Sequence, residues 1–281
     1  MNLNNGILSI EIDKHGAELK SVVKNGFEYM WCGDKKYWSR TSPVLFPFVG
    51  GLKDKKYILN GKHYPMGQHG FARDCDFELS ESSQNSVTYI LKSNEETISK
   101  YPFEFTLAIK YTLINSSIKI EWKVKNENQK VMSFSIGAHP AFNLKSGENY
   151  FKFDNKNDIT YNLLDENGLY LETPRHTLKN DGYTKIESTM FDNDALIIEN
   201  CQAKEVSLCD SEKNPYVTVK FAAPLFGLWS PAKKNAPFVC IEPWYGRCDK
   251  NNFCGEISER DYIINIDAGG TFEAEYEIEF L

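Results

Sequence analysis

Residues 272–280 read Phe-Glu-Ala-Glu-Tyr-Glu-Ile-Glu-Phe. Apolar and acidic side chains alternate through the whole run, and a strand is the structure whose side chains change face at every step. The acidic side faces water and the aromatic and aliphatic side faces a core, so this is one strand of a half-solvated antiparallel sheet. The same period recurs upstream. Residues 103–114 and 117–126 alternate and are joined by Asn115-Ser116, a hairpin turn signal. Shorter runs at 7–12, 19–23, 28–31, 76–79, 87–91, 150–153, 196–198, 206–209, 216–221, 226–229 and 238–241 have strand composition. Helical period lasts no more than a turn or two, at 95–101 or 250–253. Many short strands without strand–helix alternation predict an all-β sandwich or barrel. No linker, composition shift or internal repeat divides the chain, so residues 1–281 are expected to form one domain.

Composition narrows the function classes. Of 281 residues, 41% are hydrophobic and 14% aromatic, enough for a full core and for aromatic surfaces that pack on sugar rings. The formal net charge of −7 makes a nucleic acid an unsuitable partner. No apolar run approaches the roughly 20 residues of a membrane helix. Seven cysteines stand without a CxxC pair and no signal peptide is evident, so reduced thiols and a cytoplasmic location are expected. No HxH or HxxxH spacing occurs, so a metal enzyme is not expected.

Three segments carry titratable residues at the edge of apolar runs. The first, 42–73, opens with Ser42-Pro43-Val44-Leu45-Phe46-Pro47-Phe48-Val49-Gly50-Gly51-Leu52 and closes with Gln68-His69-Gly70-Phe71-Ala72-Arg73. Its two prolines argue against a central strand. Lys53 to Lys56 and Asn60-Gly61 are turn signals of a hairpin. His69 and Arg73, four residues apart, suit the rim of a cleft. The second is Gly137-Ala138-His139-Pro140-Ala141-Phe142-Asn143-Leu144, where Pro140 holds His139 extended at a strand end. The third is Val239-Cys240-Ile241-Glu242-Pro243-Trp244-Tyr245-Gly246-Arg247. Glu242 follows an apolar run, so partial desolvation lifts its pKa toward the range of a general base. A surface Glu242 paired with Arg247 is the structural alternative, and Trp244 offers a flat face for a sugar. Two His, one Glu, an Arg and a Trp suit proton transfer on a polyol. Cys240 is expected to be a buried, inert thiol.

Taken together, SPVLFPFVGGL, QHGFAR, GAHPAFNL and CIEPWYG, in this order, resemble the aldose 1-epimerase (galactose mutarotase) superfamily, and within it the bacterial LacX-like branch. The resemblance runs from Gly16-Ala17-Glu18-Leu19 to the last strand. It implies a single antiparallel β-supersandwich with an open cleft, and interconversion of α and β anomers of a free hexose without cofactor or metal. By motif, Glu242 would be the base on the C1 hydroxyl, His139 the acid on the ring oxygen, and His69 a hydrogen-bonding partner in the same region. A sugar-gripping carboxylate falls in Phe191-Asp192-Asn193-Asp194-Ala195-Leu196, with Asp194 preferred to Asp192. Gly51 stands where galactose mutarotases carry an arginine, which leaves Arg73 or Arg40 to meet substrate. A hexose 6-phosphate substrate, a non-catalytic sugar-binding protein, and a glycoside hydrolase using Glu242 and Asp194 are the alternatives. The expected partner is a small sugar, with no nucleic acid and no membrane, and the chain a monomer or homodimer.

Overall fold

The computed structural model describes residues 1–281 and is built almost wholly from antiparallel strands. The run that opens the sequence reading is the strand Thr271–Phe280, at the centre of a nine-stranded sheet. It pairs with Ser117–Asn126 on one side and Pro215–Phe221 on the other. Tyr276, Ile278 and Phe280 are buried, each contributing on the order of 1.5–3 kcal/mol by leaving water. Glu273, Glu275, Glu277 and Glu279 point outward. They meet Lys119, Lys123 and Lys220 of the neighbouring strands, so the acidic stripe is balanced across the sheet.

The predicted hairpin Phe105–Ile114 to Ser117–Asn126 forms in full register, with Asn115 at φ 53° in the turn. Asn60 and Gly61, at φ 51° and 73°, close the hairpin Lys56–Leu59 to Lys62–Pro65. Two short predictions differ. Strand structure at 28–31 reduces to Phe27–Glu28 and a lone bridge from Met30 to Phe142, because Glu28 turns its carboxylate back onto the N–H groups of Val22 and Met30. A helical turn forms at Glu95–Lys100, capped by Asn94 and Thr97, whereas 251–252 is only a turn.

A six-stranded sheet packs against the nine-stranded one. Its strands are ordered Leu196–Ile198, Leu225–Trp229, Phe238–Tyr245, Ile136–Ala138 and Val44–Leu45, with Ala141–Asn143 also on Phe238–Tyr245. The proline-bounded Val44–Leu45 lies at the edge, as prolines require. A cluster of 59 buried apolar residues draws on both sheets. In the strand Phe238–Tyr245, Val239 and Ile241 belong to that core, while Cys240, Glu242 and Trp244 face the other way. The functional candidates therefore sit on the outer face of the second sheet, under loops.

Candidate active site

Glu242 is not at a strand end. The strand runs on to Tyr245, through Pro243, and leaves Glu242 1% exposed. Its neighbour makes room for the proline. Ile136 and Gly137 pair with Tyr245 and Trp244, and Ala141 to Asn143 pair with Cys240 to Phe238. Both ladders keep one register, and residues 138 to 140 leave it between them, Ala138 opposite Pro243. Carried across that gap, the register places His139 opposite Glu242. The imidazole Nε2 lies 3.3 Å from Glu242 Oε2. On the other side Gly227 pairs with Glu242.

His69 arrives from the loop at 67–70 in a left-handed conformation, φ 67°. Its backbone N–H donates to Gly50 O, and the Gly50 N–H donates to its Nδ1 at 3.1 Å. With Nδ1 accepting, the ring proton sits on Nε2, so His69 offers a donor. Gly70 follows at φ 69°, its α-carbon so close to the Phe46 carbonyl that a Cβ would fall 2.3 Å from that oxygen. Rings of residues 69 and 139 meet edge to face, 5.7 Å apart.

Glu242, His139, His69, Arg73, Arg40, Asp194 and Trp244 all line one cavity of about 300 Å³, at the small end of ligand pockets. Asp192 does not line it; Asp194 does, at φ 71°, with one carboxyl oxygen accepting the Ala195 N–H. Arg40 reaches the cavity while donating to Asp74 at 2.7 Å, and Arg73 donates to the Gln68 carbonyl at 2.8 Å. Arg73 Nε is buried without a hydrogen-bond partner, 3.8 Å from the Asp74 carboxylate. Gly51 faces the Gly168 carbonyl, which a Cβ would meet at 3.0 Å, so backbone of the 165–169 turn stands where an arginine side chain would project. A larger recess of about 730 Å³ on the nine-stranded sheet is rimmed by Lys110, Lys123, Glu121, Glu273 and Glu275 and gathers no buried titratable group.

Electrostatics inside the cavity favour neutral forms. Burial, then Asp194, pushes the Glu242 carboxyl well above the usual carboxylate range, with the indole of Trp244 acting weakly the other way. Burial and the nearby Arg73 bring His139 down to about 3. His69 is likewise held well below its ordinary value by burial, Arg73 and His139. Neither oxygen of Glu242 has a hydrogen-bond partner, nor does Nδ1 of His139. A partnerless buried carboxyl beside an imidazole has the geometry to pass a proton to or from an oxygen placed against it. The donor atoms of His139, Cys240 and Glu242 lie within 4.8 Å of one another. A cation held there would have to take the proton of Cys240, which burial and Glu242 push well above its ordinary pKa.

Two tryptophans missing from the sequence reading complete the site. Trp38 stacks on His139 at 4.7 Å, and Trp229 meets it edge-on at 5.2 Å. Trp38 lies in a loop with no periodicity to reveal it. Trp229 was legible, since Leu225, Gly227 and Trp229 share a face of their strand. Arg247 does not pair with Glu242. It binds Glu199 at 2.8 Å and Asp261 at 2.5 Å and lies over the Tyr170 ring, so Asp261 is a structural anion rather than a free surface charge.

Comparison with known proteins agrees with this geometry. The family model described as Aldose 1-epimerase matches residues 1–258. The Lactococcus lactis protein LacX is 30% identical over 297 residues, covering 100% of this chain and 99% of LacX. A galactose mutarotase related enzyme from Lactobacillus acidophilus superposes with a TM-score of 0.95 at 33% identity, covering 100% and 97% of the two chains. A galactose mutarotase-like protein from Lactobacillus casei gives 0.91 at 30%, covering 100% and 99%. With a sheet sandwich of the galactose mutarotase-like kind, and a match running through the strand that carries Glu242, the chain belongs to the aldose 1-epimerase family.

Proposed function

We propose that the protein is an aldose 1-epimerase interconverting the α and β anomers of a free hexose. One observation carries the reading: a buried Glu242 with no hydrogen-bond partner, 3.3 Å from His139, at the base of a cavity of about 300 Å³. Burial disfavours charge on both groups, so the pair holds a single proton that either can carry. With Glu242 as carboxylate and His139 as imidazolium, Glu242 takes the proton of the C1 hydroxyl as the bond from C1 to the ring oxygen breaks. The ring oxygen takes its proton from His139, giving the open-chain aldehyde. Rotation about C1–C2 exposes the other carbonyl face, and reclosure with the proton roles reversed yields the other anomer. Each transfer is worth about 10²–10⁴-fold. His69 donates from Nε2 to an oxygen in the same region. Asp194, Arg73 and Arg40 meet hydroxyls, and Trp244 supplies the floor.

The group 3.3 Å from Glu242 is an imidazole, so His139 and not Asp194 is its immediate proton partner, which favours anomer exchange over hydrolysis by the Glu242 and Asp194 pair. Two guanidiniums at one cavity favour a second reading, a hexose 6-phosphate substrate. Burial and Arg40 bring Arg73 down to about 10, and its Nε has no hydrogen-bond partner. Residues 1–281 are read as one domain, which the continuous core of 59 residues supports. Seven free cysteines support a reducing compartment, the cytoplasm. No helix is long and apolar enough to cross a membrane.

Polarimetry on fresh α-D-glucose, α-D-galactose and their 6-phosphates tests the proposal. Accelerated anomer exchange is expected, with Glu242→Gln and His139→Ala each losing at least about 10²-fold while remaining folded. Wild-type rates equal to buffer on every sugar would reject catalysis and leave a binding protein, which calorimetry would identify.

A further inference from the structure

Two glycines on the outer face of the six-stranded sheet are there for no backbone reason. Gly137 and Gly227 lie in strands and neither adopts a left-handed φ. What they avoid is the indole of Trp244. A Cβ on Gly227 would sit 2.4 Å from Cη2 and Cζ2 of that ring, and a Cβ on Gly137 would sit 2.7 Å from Cδ1. The ring lies along the sheet, across both neighbouring strands, in a slot with bare backbone on each side. This fixes where Nε1 points. Nε1 is buried and has no hydrogen-bond partner, an unfavourable state if nothing answers it. Two residues back on the same face, both oxygens of Glu242 are equally buried and equally unanswered. The other groups around Glu242 do not serve its charged form. Asp194 and Cys240 are acidic, the Nε2 donor of His69 makes no hydrogen bond to either Glu242 oxygen, and Arg40 and Arg73 are engaged with Asp74 and the Gln68 carbonyl. His139 is the group with which Glu242 exchanges its proton, so it cannot also be a fixed donor.

We propose that the indole N–H of Trp244 is the fixed donor that holds the Glu242 carboxylate while it acts as base, and that Gly137 and Gly227 form the slot that keeps the indole in register. Trp244 is in this respect a positioning residue, working through Glu242. The inference rests on the reading of Glu242 as the base. In the absence of substrate, burial favours the neutral carboxyl, which calls less on the indole donor. The bond tightens as the proton leaves for His139, which makes the donor most useful at the moment charge develops.

The test uses full-length protein carrying ¹³C-labelled glutamate, with the Glu242 carboxyl resonance assigned by its loss in Glu242→Gln. Trp244→Phe keeps the ring and removes the donor. Its Glu242 titration midpoint and the alkaline limb of its mutarotation profile on α-D-galactose and α-D-glucose, where the pair loses its shared proton, should both move up by about one pH unit. Gly227→Ala should produce the same upward shift with the indole retained, because its Cβ drives the ring out of the slot. A Trp244→Phe protein whose Glu242 midpoint stays at the wild-type value overturns the proposal. So does a change confined to KM, which would make Trp244 a sugar contact only. If Gly227→Ala fails to fold, Trp244→Phe alone decides. A wild-type protein without catalysis would remove the epimerase reading, while the ¹³C titration would still report whether indole and carboxylate are coupled.

Discussion

At the scale of single residues, the pocket keeps two imidazoles and a carboxyl away from water, and this makes stability depend on pH in a calculable direction. His69 and His139 both have native pKa values pushed below 6.5, chiefly by burial. Below pH 6.5 the unfolded chain takes up protons that the native chain refuses, so stability falls as pH drops. For His139 the decline ends only near about 3, where the native ring takes its own proton. Glu242 acts oppositely. Its native value is raised, so its contribution is present at low pH and is lost as pH rises from about 4.5 through the native value. The double variant His69→Asn/His139→Asn should flatten the fall in melting temperature between pH 6.5 and 4 relative to wild type. Each imidazole accounts for up to about 1.4 kcal/mol per pH unit over that window. Parallel melting curves for the two proteins would show that the rings are not the source. The residue types were legible in advance, as were their apolar flanks. That Glu242 and His139 are within 3.3 Å was not, because nothing local to either residue encodes a distance across about a hundred positions.

Among elements, the segment 42–73 shows how a loop is built to present one side chain. The Phe46 carbonyl accepts the N–H groups of Phe71 and Ala72, Gly70 packs against that carbonyl, and His69 is braced by Gly50. Gly50 in turn abuts Cys248, whose Cβ would be 2.6 Å from a Cβ there. Gly70→Ala puts a methyl 2.3 Å from a backbone oxygen at φ 69°. Urea unfolding should show a loss of at least about 2 kcal/mol, and an unchanged midpoint would mean the loop yields freely. Strand alternation, the Asn115-Ser116 and Asn60-Gly61 turns and the edge position of Val44–Leu45 were readable because they depend on neighbours in sequence. The reach of the strand Phe238–Tyr245 past Pro243 was not, since it depends on a gap in a different strand opposite the proline.

At the scale of the whole molecule, a buried ionic network ties the chain after Tyr245 to distant loops. Arg260 donates to Asp249 at 2.6 Å and to the Arg247 carbonyl, while Arg247 joins Glu199 and Asp261. Asp249 also accepts the Lys53 N–H, and its own N–H reaches the Gly51 carbonyl. Asp249→Ala leaves Arg260 charged and unpaired with its side chain only 2% exposed, so a loss of about 3–5 kcal/mol is expected in denaturant melts. Lys123→Ala, at an exposed pair with Glu273, should leave the melt unchanged. Equal effects from the two would contradict this weighting by burial. By itself, the sequence determined the all-β class, most strand positions, the hairpin turns and the family, because period, turn chemistry and motif order are written along the chain. Tertiary structure alone decided that Glu242, His139 and His69 share one cavity with Trp38 and Trp229, that Asp194 and not Asp192 joins them, and that Arg247 serves Glu199 instead of Glu242. Those outcomes depend on which strands pair and which faces are covered, and the free energy that selects them comes from burial shared by segments far apart in sequence.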